Sequence, residues 1–471
     1  MHMSDELIAL VDVGKTHSKL NIVNAKTGTV CWSAERALAG INGPYGRQLD
    51  VEGIEKWVCS KLNGVPERGA IRAVVPIAHG AAAVLIDDQG GVLAAPDYED
   101  PAFEEVSESY RTVRDSFADT YSPFLPFGLN LGRQLHWLQI RFPTLVERCS
   151  SILLYPQYWA WRLSGVLASE VTSLGCHSDL WRPLEARFSN LANRQGWARK
   201  IPTLRKAADA LGPLRTHIAR ETGLDPACRV MCGIHDSNAS YLTHLIGREQ
   251  GPPFAVVSSG TWTVIMAHGT ELTRLQESRD MLANIDAFGV PVATARFPGG
   301  REYAALIGPP GGPTAPLRHA LTAVLRRRAM ALPSFATGGP FADRPGQLLN
   351  ATGLRDAERV SLASLYLALM TDLVLDLLGA RGSLMIDGPL AANTLYCRIL
   401  STLRREASVT MSESRVGSIA AAQYLCGYVP RPWSNTADTA KPLDLSLNSY
   451  RDEWRSRLGI SQAATLLDFD Q

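Results

Sequence analysis

The sequence predicts a two-lobed α/β protein. Two strand–turn–strand units of one design carry that prediction, in a chain long enough to build a lobe around each. Leu7–Val23, LIALVDVGKTHSKLNIV, reads as a strand, a tight turn region carrying Asp12, Gly14, Lys15, Thr16 and Lys19, and a second strand. Phe254–His268, FAVVSSGTWTVIMAH, repeats the design around a Ser-Ser-Gly-Thr turn, with Gly260 answering Gly14 246 residues later. Recurrence of one supersecondary unit at that distance points to two related domains facing each other across a cleft. A chain of 471 residues is expected to hold two or more domains.

Asp12-x-Gly14-x-Thr16 offers a carboxylate, a glycine where backbone can approach a ligand, and a hydroxyl. Successive turn N–H groups can cradle an anion, and a neighbouring carboxylate can hold the metal that accompanies phosphate. The competing account is a hairpin whose Asp and Thr only satisfy the turn. A Walker A loop is excluded despite Gly14-Lys15-Thr16, because it needs a glycine five positions earlier and a helix after the lysine. Position 9 is Ala9, and Leu20, Ile22 and Val23 continue as strand.

A net charge of +1 steers the protein toward neither nucleic acid nor anionic membrane. Hydrophobic residues make up 46% and charged residues 20%, the balance of a soluble globular protein with an ample core. No stretch reaches the continuous apolar length of a membrane span, and MHMSDEL at the start has no apolar signal-like run. The eight cysteines are scattered, several in apolar contexts, and Cys228-x3-Cys232 has no second pair to complete a metal site. They read as reduced, packed thiols of a cytoplasmic protein.

Four blocks lie in order across both halves: VDVGKTHSK at 11–19, LPFGLNLGRQLHWL at 125–138, GIHDSNAS at 233–240 and VVSSGTWTV at 256–264. On them the chain resembles the FGGY family of carbohydrate kinases, in the superfamily of actin and the heat-shock chaperone ATPases. GIHDSNAS followed closely by SSGTW is similar to ketose kinases of the rhamnulose and fuculose type. The resemblance implies two actin-like (ribonuclease H-like) lobes, each a mixed central sheet with flanking helices, and a ligand cleft between them. Residues 1–248 would form the N-terminal lobe and 249–430 the C-terminal lobe, with 431–471 a tail and helix.

The same resemblance implies an ATP- and Mg²⁺-dependent kinase for a ketose or related polyol, a 6-deoxyketohexose such as L-rhamnulose or L-fuculose being favoured. Asp236 would be the general base, with Asp12 and Asp236 on the metal. Gly14, Lys15, Thr16, Lys19, Ser259, Gly260, Thr261, Gly388 and Asn393 would hold the nucleotide. His79, Gly80, His235 and Asp236 would meet the sugar. The partners expected are the sugar and ATP, with no nucleic acid and no membrane; a homodimer is one assembly open to it. Two other readings stand beside this one. The first is a nucleotide-binding relative without kinase activity, regulatory or scaffolding; the second is an actin- or chaperone-like ATPase.

The elements follow in order. Val30–Arg36 is a third strand after the Lys26-Thr27-Gly28 turn. Asp50–Leu62 is an amphipathic helix with Ile54, Trp57, Val58 and Leu62 on one face. Arg72–Ile77 and Ala82–Ile86 are strands around His79-Gly80, and where relatives place an aromatic or carboxylate after that glycine this chain has Ala81–Ala83. Asp97–Glu105 reads as a solvated acidic loop. Leu131–Ile140 is a helix with Gln134 in place of the family's lysine, and Gln157 stands where relatives carry Asp. Val171–Trp181 resembles the family's Ser/Thr-rich segment in the cleft floor. Residues 203–222 read as helical, Arg229–Cys232 as a buried strand.

Gly233-Ile234-His235-Asp236 would end a short strand and open a helix, projecting Asp236 into the cleft; a helix-capping Asp is the structural alternative. Gln250-Gly251-Pro252-Pro253 marks the lobe boundary. Trp262 is expected to pack under its turn. Phe297–Tyr303 and Gly308–Pro316 read as flexible loops, and Tyr366–Leu378 as a buried helix. Leu384–Ala392 is a strand and glycine turn with Gly388 alone where relatives use two or three glycines. Val416–Gly427 is a small-residue helix, and Tyr450–Leu458 a short one in the tail.

Overall fold

The computed structural model describes residues 6–248, 251–308, 318–412, 417–430 and 438–460. The chain divides into two compact units. The first comprises residues 1–246, 283–291 and 417–432, the second 247–282, 292–416 and 433–471. Two segments beyond a cut at residue 248 therefore fold with the first unit. The tail helix belongs to the second unit and is no separate body.

The main sheet of the first unit is built from β1 (Leu7–Val13), β2 (His17–Asn24), β3 (Val30–Ala37), β4 (Ile71–Ala78), β5 (Ala210–Pro213), β6 (Arg229–Met231) and β7 (Ile234–His235). They form one mixed sheet in the order β5-β6-β4-β1-β2-β3, with β7 also paired to β4. β1 is parallel to β4 and antiparallel to β2. Its near-continuous apolar run fits a strand covered on both faces, whereas β3, at the edge, alternates exposed and half-buried positions. Helix α1 (Val51–Asn63) is capped by Asp50, whose side chain accepts from the Gly53 amide, and buries Ile54, Val58 and Leu62 at helical spacing. Helices α2 (Leu131–Arg141), α3 (Tyr155–Ser164) and α4 (Asp236–Leu245) complete the parts that bear on the site.

A second sheet, its strands mainly in the second unit, contains β8 (Phe254–Ser259), β9 (Thr263–His268), β10 (Met281–Ile285), β11 (Pro291–Phe297), β12 (Ser383–Asp387) and β13 (Val409–Met411) in the order β10-β11-β9-β8-β12-β13. β8 is antiparallel to β9 and parallel to β12, the arrangement of β1 with β2 and β4. The helices of the second unit include α5 (Gly299–Ile307), α6 (Asp356–Leu378), α7 (Thr394–Leu403) and α8 (Asn448–Arg457). α6 is long and apolar enough to cross a membrane, but 89% of its apolar window is buried inside the fold, as befits a core helix. α8 docks on it: Arg455 pairs with Asp372 at 2.5 Å and Asp376 at 2.6 Å, and the Trp454 indole donates to the Ala331 carbonyl.

Three expectations are corrected. Residues 203–222 are not one helix: Gly212, at φ +150°, and Pro213 break the pattern, so 210–213 pair with β6 and only Thr216–Thr222 is helical. Phe297–Tyr303 is no loop, because α5 begins at Gly299 and buries Glu302 and Leu306. The acidic segment 97–105 is not simply solvated, since Asp97 and Asp100 are buried and bonded. Most of the Gly308–Pro316 segment, Gln250 of the boundary and the tail residues 431–437 and 461–471 lie outside the described residues. All eight cysteines are free, seven of them buried.

Candidate functional site

The first turn follows directly from β1. Gly14 N–H donates to the His17 carbonyl at 2.9 Å, closing the turn on itself. The amides of Lys15 and Thr16 make no hydrogen bond among the described residues and are the ones left for an anion. Thr16 is exposed, its hydroxyl 3.1 Å from His17 Nδ1. Lys19 is half-exposed, 3.8 Å from Glu35. Lys15 points elsewhere: its ammonium lies 2.6 Å from Asp97 Oδ1, 3.4 Å from Glu99 and over the Tyr98 ring. Asp97, fully buried, also pairs with Arg47 at 2.8 Å.

Asp12, His79 and Asp236 gather at one end of the sheet. Val13 pairs with Ala78, and Ala78 with His235, so β1, β4 and β7 end side by side at their carboxyl ends. That edge is where open α/β sheets bind ligands. The side chain of Asp12 shares a face with Ile77 and Ile234, its cross-strand counterparts, and alternation returns Asp236 to that face. A one-residue slip secures this parity, since Val230 pairs with Val74 but Ile234 with Ile77. Gly233 occupies the slip at φ +84°, where a Cβ would lie 2.4 Å from the Pro76 carbonyl oxygen.

Asp236 is the first residue of α4, and its side chain stays 38% exposed, so the helix does not cover it. Its Oδ1 accepts from the Ser237 amide at 2.6 Å and lies 3.2 Å from His235 Nε2. The His235 amide donates to Thr172 Oγ1 at 3.1 Å. His79 Nδ1 lies 2.7 Å from the Gly80 carbonyl, and its ring packs against Tyr155 and Tyr98. A Cβ on Gly80 would come within 2.8 Å of His235 Nε2, so these two substrate candidates touch.

Electrostatics bind the group together. Burial, then the charge of Asp236, push the Asp12 carboxyl up to about 7, with Lys19 opposing; only part of the residue reaches solvent. Burial holds both His79 and His235 below the usual imidazole range, and Asp236 partly offsets this in each. The result is two neutral imidazoles beside two carboxyl groups.

The second turn is built alike. Gly260 N–H donates to the Trp262 carbonyl at 2.8 Å, while the amides of Thr261 and Trp262 make no hydrogen bond among the described residues. Ser259 Oγ donates to the Asp387 carbonyl at 2.5 Å and accepts from the Leu390 amide at 2.9 Å. It thereby ties this turn to the Gly388 turn. Gly388, at φ +75°, has no room for a Cβ, which would sit 2.0 Å from the Ser259 carbonyl oxygen. Asn393 is occupied structurally: its carbonyl caps α7 through the Tyr396 amide and its amide donates to Ser364. Trp262 is half-buried, with Arg296 4.8 Å and Arg301 6.0 Å from its ring.

The residues present fit a magnesium–nucleotide pair. Among the described residues no cluster of three or more His, Cys, Asp or Glu could cage a metal by itself. Asp12 beside Asp236 suits Mg²⁺, which takes one or two carboxylates and completes its shell from water and phosphate. Burial and then the neighbouring Asp236 raise Asp12, and a divalent cation at that place would offset both. A Cβ built on Gly260 would make only an ordinary contact, 3.8 Å from the Trp262 carbonyl oxygen, so the turn is not crowded there.

Sequence reasoning missed several members of these clusters. Gly338 and Gly339 pack on Trp262 and Phe297, bringing the loop around 334–341 against the second turn; their adjacent positive φ values, +106° and +81°, were a signal in the Gly-Gly pair. Asp97 carried no signal, being 82 residues from the Lys15 it binds. Thr172 and Asn238 were passed over as members of longer motifs.

The chain is similar to known proteins along most of its length. Residues 251–434 match the family model described as "Carbohydrate kinase FGGY, C-terminal domain". A solved carbohydrate kinase from Novosphingobium aromaticivorans is 34% identical, with a TM-score of 0.87, covering 97% of this chain and 99% of that one. The xylulose kinase of Rhodospirillum rubrum, at 17% identity and a TM-score of 0.77 over 98% and 99% of the two chains, shares the fold. The L-fuculokinase of Salmonella typhi is 26% identical over 281 residues, 57% of this chain; the match spans 58% of that protein's length.

Proposed function

The chain belongs to the FGGY family of carbohydrate kinases, and from that premise we propose that it transfers the γ-phosphate of ATP to a hydroxyl of a ketose or related polyol. The favoured acceptor is a 6-deoxyketohexose such as L-rhamnulose or L-fuculose. Support for that class comes from the GIHDSNAS and SSGTW blocks and from the L-fuculokinase match.

One observation carries the reading: Asp236 stands uncovered at the carboxyl end of β7, with Asp12 beside it and neutral His235 against it. Phosphoryl transfer has a loose transition state, so the protein's tasks are to align the hydroxyl with the phosphate and to neutralise charge. Asp236 takes the proton of the attacking hydroxyl. His79 and Gly80 hold the sugar without a competing charge, and His235, whose Nε2 faces Asp236, lines the same site by contact of its ring. The amides of Lys15 and Thr16 and of Thr261 and Trp262 hold phosphate oxygens, Thr16 and Lys19 adding a hydroxyl and a charge. Mg²⁺, held through Asp12 and Asp236, would supply counter-charge to the phosphates.

The test is ADP release from ATP over a panel of ketopentoses, 6-deoxyketohexoses and polyols, for wild type and Asp236→Asn. Sugar-dependent release is expected, falling about 10²–10⁴-fold in the variant while nucleotide binding persists. ATP binding without turnover on any sugar would favour a regulatory or scaffolding relative instead.

A further inference from the structure

Asn238 lies on the first turn of α4 and is fully buried. Its Nδ2 is 3.0 Å from His235 Nδ1. The other ring nitrogen, Nε2, faces Asp236 Oδ1 at 3.2 Å. That oxygen already accepts the Ser237 amide, so it acts as an acceptor, and the nitrogen facing it must carry a hydrogen. Nδ1 faces the Asn238 NH₂, which can only donate, so Nδ1 cannot also carry a hydrogen and the ring holds its N–H at Nε2. Nδ1 is then a lone pair that needs a donor, and the Asn238 amide is the group in reach.

The opposite assignment fails on two counts. It sets the Nε2 lone pair against a carboxylate oxygen, and it turns the Asn238 NH₂ away from the ring nitrogen it faces. The observed arrangement leaves Asn238 Oδ1 without a hydrogen-bond partner among the described residues. An apolar side chain of the same size would fill the space without that cost, so packing does not account for the amide. The backbone of Gly80, against the Nε2 edge of the ring, further limits its rotation.

We infer that Asn238 is a positioning residue: by donating to His235 Nδ1 it locks the imidazole as the Nε2–H tautomer, which donates to Asp236 and aims its carboxylate. This rests on the reading of Asp236 as the proton acceptor. The substrate hydroxyl then meets a carboxylate whose Oδ1 is held by His235 and Ser237 and whose Oδ2 is left to receive the proton.

The test uses full-length protein with ¹⁵N-labelled histidine, His235 being assigned by comparison with His235→Asn. In wild type the His235 proton is expected on Nε2; a proton on Nδ1 would overturn the inference with no variant needed. Asn238→Asp, which can only accept, is expected to move the proton to Nδ1 and to lower kcat about 10–100-fold with KM for ATP within twofold of wild type. Asn238→Leu, folded by thermal denaturation, should lower kcat likewise. Turnover kept in both Asn238 variants but lost in Asp236→Asn would overturn the positioning role alone. Turnover kept in Asp236→Asn would remove the base assignment itself.

Discussion

Asp12 and Asp236 follow from strands that pair with β4 on its two sides, and the charge of Asp236 helps hold the Asp12 carboxyl up at about 7. Two carboxylates kept this close are mutually unfavourable unless a cation shares them. Asp12→Asn should therefore raise the Mg²⁺ concentration for half-maximal turnover by about tenfold or more. Magnesium titration of the two proteins checks this; an unchanged midpoint would remove Asp12 from the metal.

Gly388 packs its turn against the second strand–turn–strand turn at Ser259. Its φ of +75° and the 2.0 Å approach of a built Cβ to the Ser259 carbonyl leave alanine no tolerable position. Gly388→Ala should lose about 1–3 kcal/mol of stability from backbone strain alone, and ATP affinity with it. Urea unfolding and ATP binding on the same sample measure both.

Lys15 is a test of function against structure. Its pairing with buried Asp97 predicts that Lys15→Met costs about 1–3 kcal/mol of stability, since Arg47 still compensates part of the carboxylate. The change in KM for ATP should be smaller, twofold or less. A large KM effect with unaltered stability would return Lys15 to the phosphates.

Glu170 is buried, accepts from the Thr172 amide and hydroxyl, and is pushed by burial up to about 8. A carboxyl raised from its ordinary 4.5 favours the folded state fully below that value, and the benefit is lost as pH climbs through about 8. Wild type should weaken relative to Glu170→Gln by about 1.4 kcal/mol per pH unit across that window. Chemical unfolding at pH 5, 6.5 and 8 follows the difference; parallel curves would contradict it.

The strand–turn–strand units were legible because their signals are local. An apolar run, a glycine and a second run within seventeen residues suffice to place β1, β2 and the first turn, and the same pattern placed β8 and β9. The Asp236 block was legible for a related reason, since a short strand running into a helix exposes its junction. Less visible was α5, where Gly299 and Gly300 look like loop residues. Their role is close packing, a Cβ on Gly300 falling 2.2 Å from the Gly260 carbonyl oxygen.

The sequence by itself determined two α/β units of matching design, the turns that end their first strands, and the aspartate that opens α4. Tertiary structure alone decided which side chains those turns keep free. Asp97 took Lys15 from 82 positions away, the slip at Gly233 set the face on which Asp236 emerges, and burial made His79 and His235 neutral. Hydrophobic periodicity and turn chemistry act between neighbours in the chain, whereas desolvation and ion pairing depend on distance in space, which folding sets.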